Sequence, residues 1–192
     1  RPRLDAPSWV SLEAMRGPFA SFLGNAPLHP SVHMHLRDGR SFVRAAPPQR
    51  YDLIQLSGTD TKQNLASGTL TLAENHLYTV EAFEDYLRAL TPTGALAIVR
   101  FGEAEALRLA NTALHALERL GAKDPARHIV IAQNGLLQSV IVQASALEPK
   151  DSRRIAEHLQ PPSFDGVDVF FARLYELQFH ERVTLGYAPF LT

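Results

Sequence analysis

Two hydrophobic periods alternate along this chain, and their order predicts its elements. Behind Ser8, a good N-cap, Trp9, Leu12, Ala14 and Met15 fall at helical spacing. Gly17-Pro18 interrupts, Phe19 to Leu23 resumes, and Gly24-Asn25 closes the segment. Ser31 to Leu36 (S-V-H-M-H-L) alternates and predicts a strand, Arg37-Asp38-Gly39-Arg40 a turn, and Ser41 to Ala46 a short helix ended by Pro47-Pro48. Tyr51 to Leu56 (Y-D-L-I-Q-L) predicts a buried strand, and Ser57 to Thr71 is a long polar connection. Val80, Phe83, Leu87 and Leu90 share one face of a helix over Leu77 to Leu90. A turn, Thr91-Pro92-Thr93-Gly94, leads into a strand over Ala95 to Phe101. Leu107, Ala110, Leu114 and Leu117 mark a helix over Glu103 to Leu120, with Gly121 at its C-cap. His128 to Ala132 and Leu137 to Gln143 flank Asn134-Gly135, a strong hairpin signal. Pro149 to Leu159 reads as a helix, and Pro161-Pro162 as a boundary. Val167 to Tyr175 is mixed and apolar, and Val183 to Phe190 has no clear period.

Helices alternating with strands argue for an α/β fold: a mostly parallel sheet, helices on both faces, and a C-terminal antiparallel hairpin. In such a sheet a ligand crevice opens outside the carboxyl ends of the strands, where Ser57-Gly58-Thr59-Asp60 follows the central strand. The expected organisation is one domain over 1–160 and an extension over 161–192 packed on it.

Composition narrows the options. The chain has 192 residues, 45% hydrophobic and 20% charged, enough to bury a sizeable core. The net charge is −1 and no basic face stands out, so nucleic acid is not an expected partner. There is no cysteine, which excludes thiol catalysis, disulfides and a cysteine zinc site. No apolar run approaches the ~20 residues of a membrane span, and no signal peptide is visible. The chain starts at Arg1 without a Met, as a processed or excised piece would. The expected location is the cytoplasm, with the soluble part of a membrane-attached protein as the alternative.

Three stretches together resemble a known family. R-D-G-R after a strand, Y-D-L-I-Q-L-S-G-T-D, and E-N-H-L-Y-T-V-E-A-F-E-D-Y-L-R-A-L-T-P-T-G-A-L-A-I look like the spermidine synthase-like branch of the S-adenosylmethionine-dependent methyltransferase superfamily, over roughly Trp9 to Gln143. The resemblance implies a Rossmann-like, class I methyltransferase-type fold and a nucleoside cofactor, S-adenosylmethionine or its decarboxylated form. It implies that Asp38 and Gly39 recognise adenine: a carboxylate accepts from the exocyclic amine, and a glycine admits close backbone approach. Without it, Asp38-Gly39 is a common polar turn pair. Asp5 matches the acid that binds the ribose hydroxyls.

Aminopropyl transfer in that family uses an Asp-Ser-Ser-Asp loop, which here reads Ser57-Gly58-Thr59-Asp60. Asp60 matches the second acid, as a cation site or a loop cap. Ser57 replaces the first, and a hydroxyl cannot take a proton from an ammonium at neutral pH as a carboxylate can. The family's glycine-rich turn is missing, so the expected fold is N-terminally truncated. The strands over Ser31–Leu36 and Tyr51–Leu56 would then leave a gap in the sheet, to be filled by an upstream part of the same protein, a second copy of the chain or a rearranged sheet.

Other candidates carry plainer readings. Gln55 would face a small-molecule acceptor. Glu74, Asn75 and His76 read first as a capping arrangement, while the resemblance places Glu74 and Tyr78 beside the substrate entrance. His33 and His35 share a strand face, which a metal site needs, but no third ligand is positioned, so no metal is expected. Three functions remain open: a spermidine synthase-like transferase, a degenerate non-catalytic scaffold, and a class I methyltransferase, in which orientation supplies most of the rate.

Overall fold

The computed structural model describes residues 8–57, 76–134, 137–158 and 184–187. It divides into two compact units, Arg1–Phe42 and Val43–Thr192.

In the first unit, α1 spans Ser8–Arg16 and a 3-10 turn spans Ala26–Leu28. Asn25, ahead of that turn, is left-handed at φ 58°. The predicted strand over Ser31–Leu36 does not form. Five of its six residues are exposed, and with no described strand beside it the alternation has neither a buried face nor a ladder to join. Helix α2, Gly39–Arg44, starts two residues earlier than the periodicity indicates. Asp38 caps it: its Oδ1 accepts the Ser41 N–H at 2.8 Å and its carbonyl accepts the Phe42 N–H at 2.9 Å.

The larger unit is built on a five-stranded sheet in the order β1-β2-β4-β3-β5: β1 Tyr51–Leu56, β2 Leu90–Phe101, β3 Ile129–Asn134, β4 Leu137–Gln143 and β5 Thr184–Tyr187. Only β1 and β2 run parallel; the other three pairings are antiparallel. The expected parallel majority is therefore absent among the described residues. The hairpin is present as β3–β4, with Asn134 opposite Leu137. β5 comes from the stretch without clear period, and the rest of 161–192 lies outside the described residues.

Helix α3, Val80–Ala89, connects β1 to β2, and α4, Glu103–Arg119, connects β2 to β3. The expected helix start at Leu77 is instead a 3-10 turn, His76–Tyr78, because Thr79 caps α3 by accepting the Ala82 N–H on its hydroxyl at 3.2 Å. Gly121, beyond the end of α4, has φ 87°, the conformation that favours glycine at a helix terminus. One face of the sheet, carrying Ile54, Leu56, Leu96, Ile98, Val140 and Val142, packs on Phe83 and Tyr86 of α3 and Leu109, Ala113 and Leu117 of α4. Alternation puts Val130 and Ile141 on the opposite face, where they meet Leu147 and, from α5 (Pro149–His158), Ile155. Helices thus cover both faces, as expected.

β1 departs from expectation in one respect. Among the described residues its only partner is β2, and Leu53, on the face away from α3 and α4, is 56% exposed. The predicted turn Thr91–Gly94 is absorbed into β2 as an irregularity in the β1–β2 register, between Tyr51 opposite Leu90 and Leu53 opposite Ala95.

Candidate functional site

The carboxyl ends of the parallel pair β1–β2 form one edge of the larger unit. Leu56 lies opposite Ile98, so Ser57 emerges beside the last residues of β2, Arg100 and Phe101. Ile54 and Leu56 turn toward the helices; strand alternation therefore puts Gln55 and Ser57 on the opposite face. Both are exposed, and the Gln55 amide donates to the Ser57 hydroxyl at 3.4 Å. The Ser57 hydroxyl thus meets a neutral amide.

The helix side of the same edge carries charge. Arg100 shares the parity of Leu96 and Ile98 and reaches the turn before α3 and the first turns of α4. Its guanidinium carbon sits 4.6 Å from the centroid of the Tyr78 ring. One Nη donates to the Tyr78 hydroxyl at 3.4 Å, and the other lies 3.3 Å from Glu105 Oε2. Arg108 meets the same oxygen at 2.9 Å. Tyr78 itself is 5% exposed, so it serves as a platform under Arg100 and not as an open substrate contact. Arg100 was not among the residues singled out from sequence; the available signal was a lone arginine ending the apolar run A-L-A-I-V-R-F.

The two arginines determine the ionisation of Glu105. The Arg108 hydrogen bond first, and Arg100 in addition, hold its carboxyl below the ordinary 4.5. A carboxylate with a lowered folded-state pKa contributes stability that is complete above its unfolded value and is lost as pH falls through the folded one. The stability difference between the parent protein and Glu105→Gln is therefore expected to shrink below about pH 4.5. Chemical denaturation at a series of pH values checks this, and a difference that stays constant to pH 2 contradicts it.

The remaining candidates separate. Asp38 and Gly39 belong to the N-terminal unit; Gln55, Ser57 and Tyr78 belong to the larger one. Asp38 is exposed and caps α2, and a Cβ built on Gly39 would meet nothing within 4 Å. That leaves open space beside the backbone, which is what close approach of a planar ring requires. His35 stacks on Phe42, with ring centroids 4.7 Å apart, and without a strand it shares no face with His33. No cluster of three or more potential metal ligands occurs among the described residues. Asp5, Asp60 and Glu74 lie outside the described residues.

The chain matches no protein-family model and no curated protein. Several solved structures are similar to it. One is a probable spermidine synthase from Corynebacterium glutamicum ATCC 13032, with 16% identity and a TM-score of 0.47 over 72% of this chain and 51% of that one. Another is a spermidine synthase from Thermotoga maritima, with 14% identity and a TM-score of 0.48 over 88% of this chain and 57% of that one. A third is a spermidine synthase in complex with the transition-state analogue AdoDATO, with 13% identity and a TM-score of 0.47 over 88% and 57%. The chain spans a little over half the length of these structures. None of the described helices is long and apolar enough to cross a membrane.

Proposed function

We propose that this chain is a spermidine synthase-like transferase domain that works on a nucleoside cofactor, S-adenosylmethionine or its decarboxylated form. The observation that carries the reading is the parallel β1–α3–β2 unit, whose carboxyl edge presents an exposed hydroxyl–amide pair, Ser57 and Gln55. In open α/β sheets ligands bind at such edges. In this reading Asp38 and Gly39 take the adenine and Asp5 the ribose. Asp60 and Ser57 lie at the transfer point, and Gln55, Glu74 and Tyr78 border a small-molecule acceptor, with Tyr78 acting through Arg100. The open edge of β1 is completed by an upstream part of the same protein or by a second copy of the chain.

A second reading, a non-catalytic binding domain on the same fold, is favoured by one observation. The position of the family's first acid is a neutral hydroxyl tied to an amide, so no base stands there to deprotonate an ammonium. A class I methyltransferase, which needs no such base, is the third. Donation of a methyl group from the intact cofactor separates it from aminopropyl transfer.

The deciding experiment is calorimetric titration of the full-length protein with methylthioadenosine. Saturable binding is expected, and it is expected to be lost in both Asp38→Ala and Asp38→Ser. Serine preserves the cap on α2 but lacks the carboxylate. No binding by the parent protein overturns the proposal. Undiminished binding by Asp38→Ser reduces Asp38 to a helix cap.

A further inference from the structure

A second candidate site lies at the other end of the sheet, away from the carboxyl edge of β1 and β2. There a cleft of about 480 Å³ opens between α5 and the start of β2 and end of β4. Gln143 pairs with Ala95, so the cleft stands about 20 Å along β2 from Phe101. Its size is that of a small-molecule pocket.

The lining is rich in unspent hydrogen-bond donors. Thr93, Gln143 and Ser145 contribute two hydroxyls and an amide, and Arg154 a guanidinium. None of these side chains has a hydrogen-bond or ion-pair partner among the described residues. Ile155 supplies an apolar wall. Asp151 also lines the cleft, but its Oδ2 accepts the Glu148 N–H at 2.9 Å, a cap at the start of α5. Lys150 meets Glu148 at 2.8 Å, so that acid is paired as well. One helical turn before Ile155, Ser152 is fully buried and its hydroxyl has no partner among the described residues.

We propose that this cleft binds a small oxyanion, a carboxylate or phosphate on a compact apolar body. Arg154 supplies the charge and a planar fork that matches two oxygens. Thr93, Ser145 and Gln143 supply neutral donors around it, and Ile155 takes the apolar part. The site is independent of the nucleoside reading, because it shares no residue with the carboxyl edge.

The test is calorimetric titration of the full-length protein with isobutyrate, inorganic phosphate and, as an uncharged isostere, isobutyramide. Saturable binding of isobutyrate or phosphate is expected, with no binding of the amide. Which of the two anions binds distinguishes a carboxylate ligand from a phosphate one. Arg154→Gln is expected to weaken binding at least tenfold. Arg154 is exposed, so its replacement leaves the core intact; Thr93→Val, at another exposed lining position, is expected to weaken binding by a smaller factor. The proposal is overturned if neither anion binds, if the amide binds as well, or if Arg154→Gln binds as the parent does.

Discussion

Replacing Phe83 by Ala is expected to lower stability by about 3–5 kcal/mol, a large share of the total for a domain of this size. Phe83 is fully buried, on the face of α3 that packs against the sheet. Its ring stands 6.3 Å from that of Tyr86, with the planes tilted at 53°. Removing it deletes apolar surface and leaves a cavity that Ala82 and Ala113, both small and fully buried, are too short to fill. Urea unfolding followed by circular dichroism measures the change. A loss below ~1 kcal/mol would mean that α3 is not seated on the sheet as described. The effect extends to the site, because α3 follows directly on the turn that holds Tyr78 under Arg100.

Gly94→Ala is expected to cost roughly 1–3 kcal/mol through overpacking. An added Cβ would lie 2.9 Å from the Tyr51 carbonyl oxygen and 3.1 Å from both the backbone N and O of Thr91. All three are backbone atoms, so no rotamer change relieves the contact. The conformation of Gly94 is not the difficulty; the space is. The substitution acts where β2 accommodates its extra residues against β1, a junction closed by the Thr91 hydroxyl donating to Asp52 Oδ1 at 2.9 Å. Thermal and urea unfolding give the magnitude. Hydrogen exchange at Leu53 to Leu56 shows whether the strain is local, in which case protection falls there before it falls in β3 and β4. Unchanged stability would mean that the two strands approach less closely than described.

Much of this architecture could be read from local pattern. The face shared by Val80, Phe83 and Leu87 became the packed face of α3, and Gly121 stands past the end of α4 in the backbone conformation that a glycine suits. The hairpin expected around Asn134-Gly135 is present in the antiparallel pairing of β3 and β4, with Asn134 opposite Leu137. Of the residues singled out, Ser57 and Gln55 sit together at the carboxyl edge, and Asp38 caps α2 where a polar turn was expected. The misreadings share a cause. S-V-H-M-H-L has the period of a strand but no described strand to pair with, and the contact of Arg100 with Tyr78 spans 22 residues, beyond any local period.

The sequence by itself determined the helices α3 and α4 and the extended runs of β1, β3 and β4, because side-chain period, caps and glycines act over a few residues. It also determined that no carboxylate stands at position 57. Only the tertiary structure decided that β2 is flanked by one parallel and one antiparallel strand, that β1 lies at the edge of the sheet formed by the described residues, and that Arg100 crosses to Tyr78 and Glu105. Those outcomes depend on backbone hydrogen bonds and ion pairs between residues brought together by folding, and no local period encodes them.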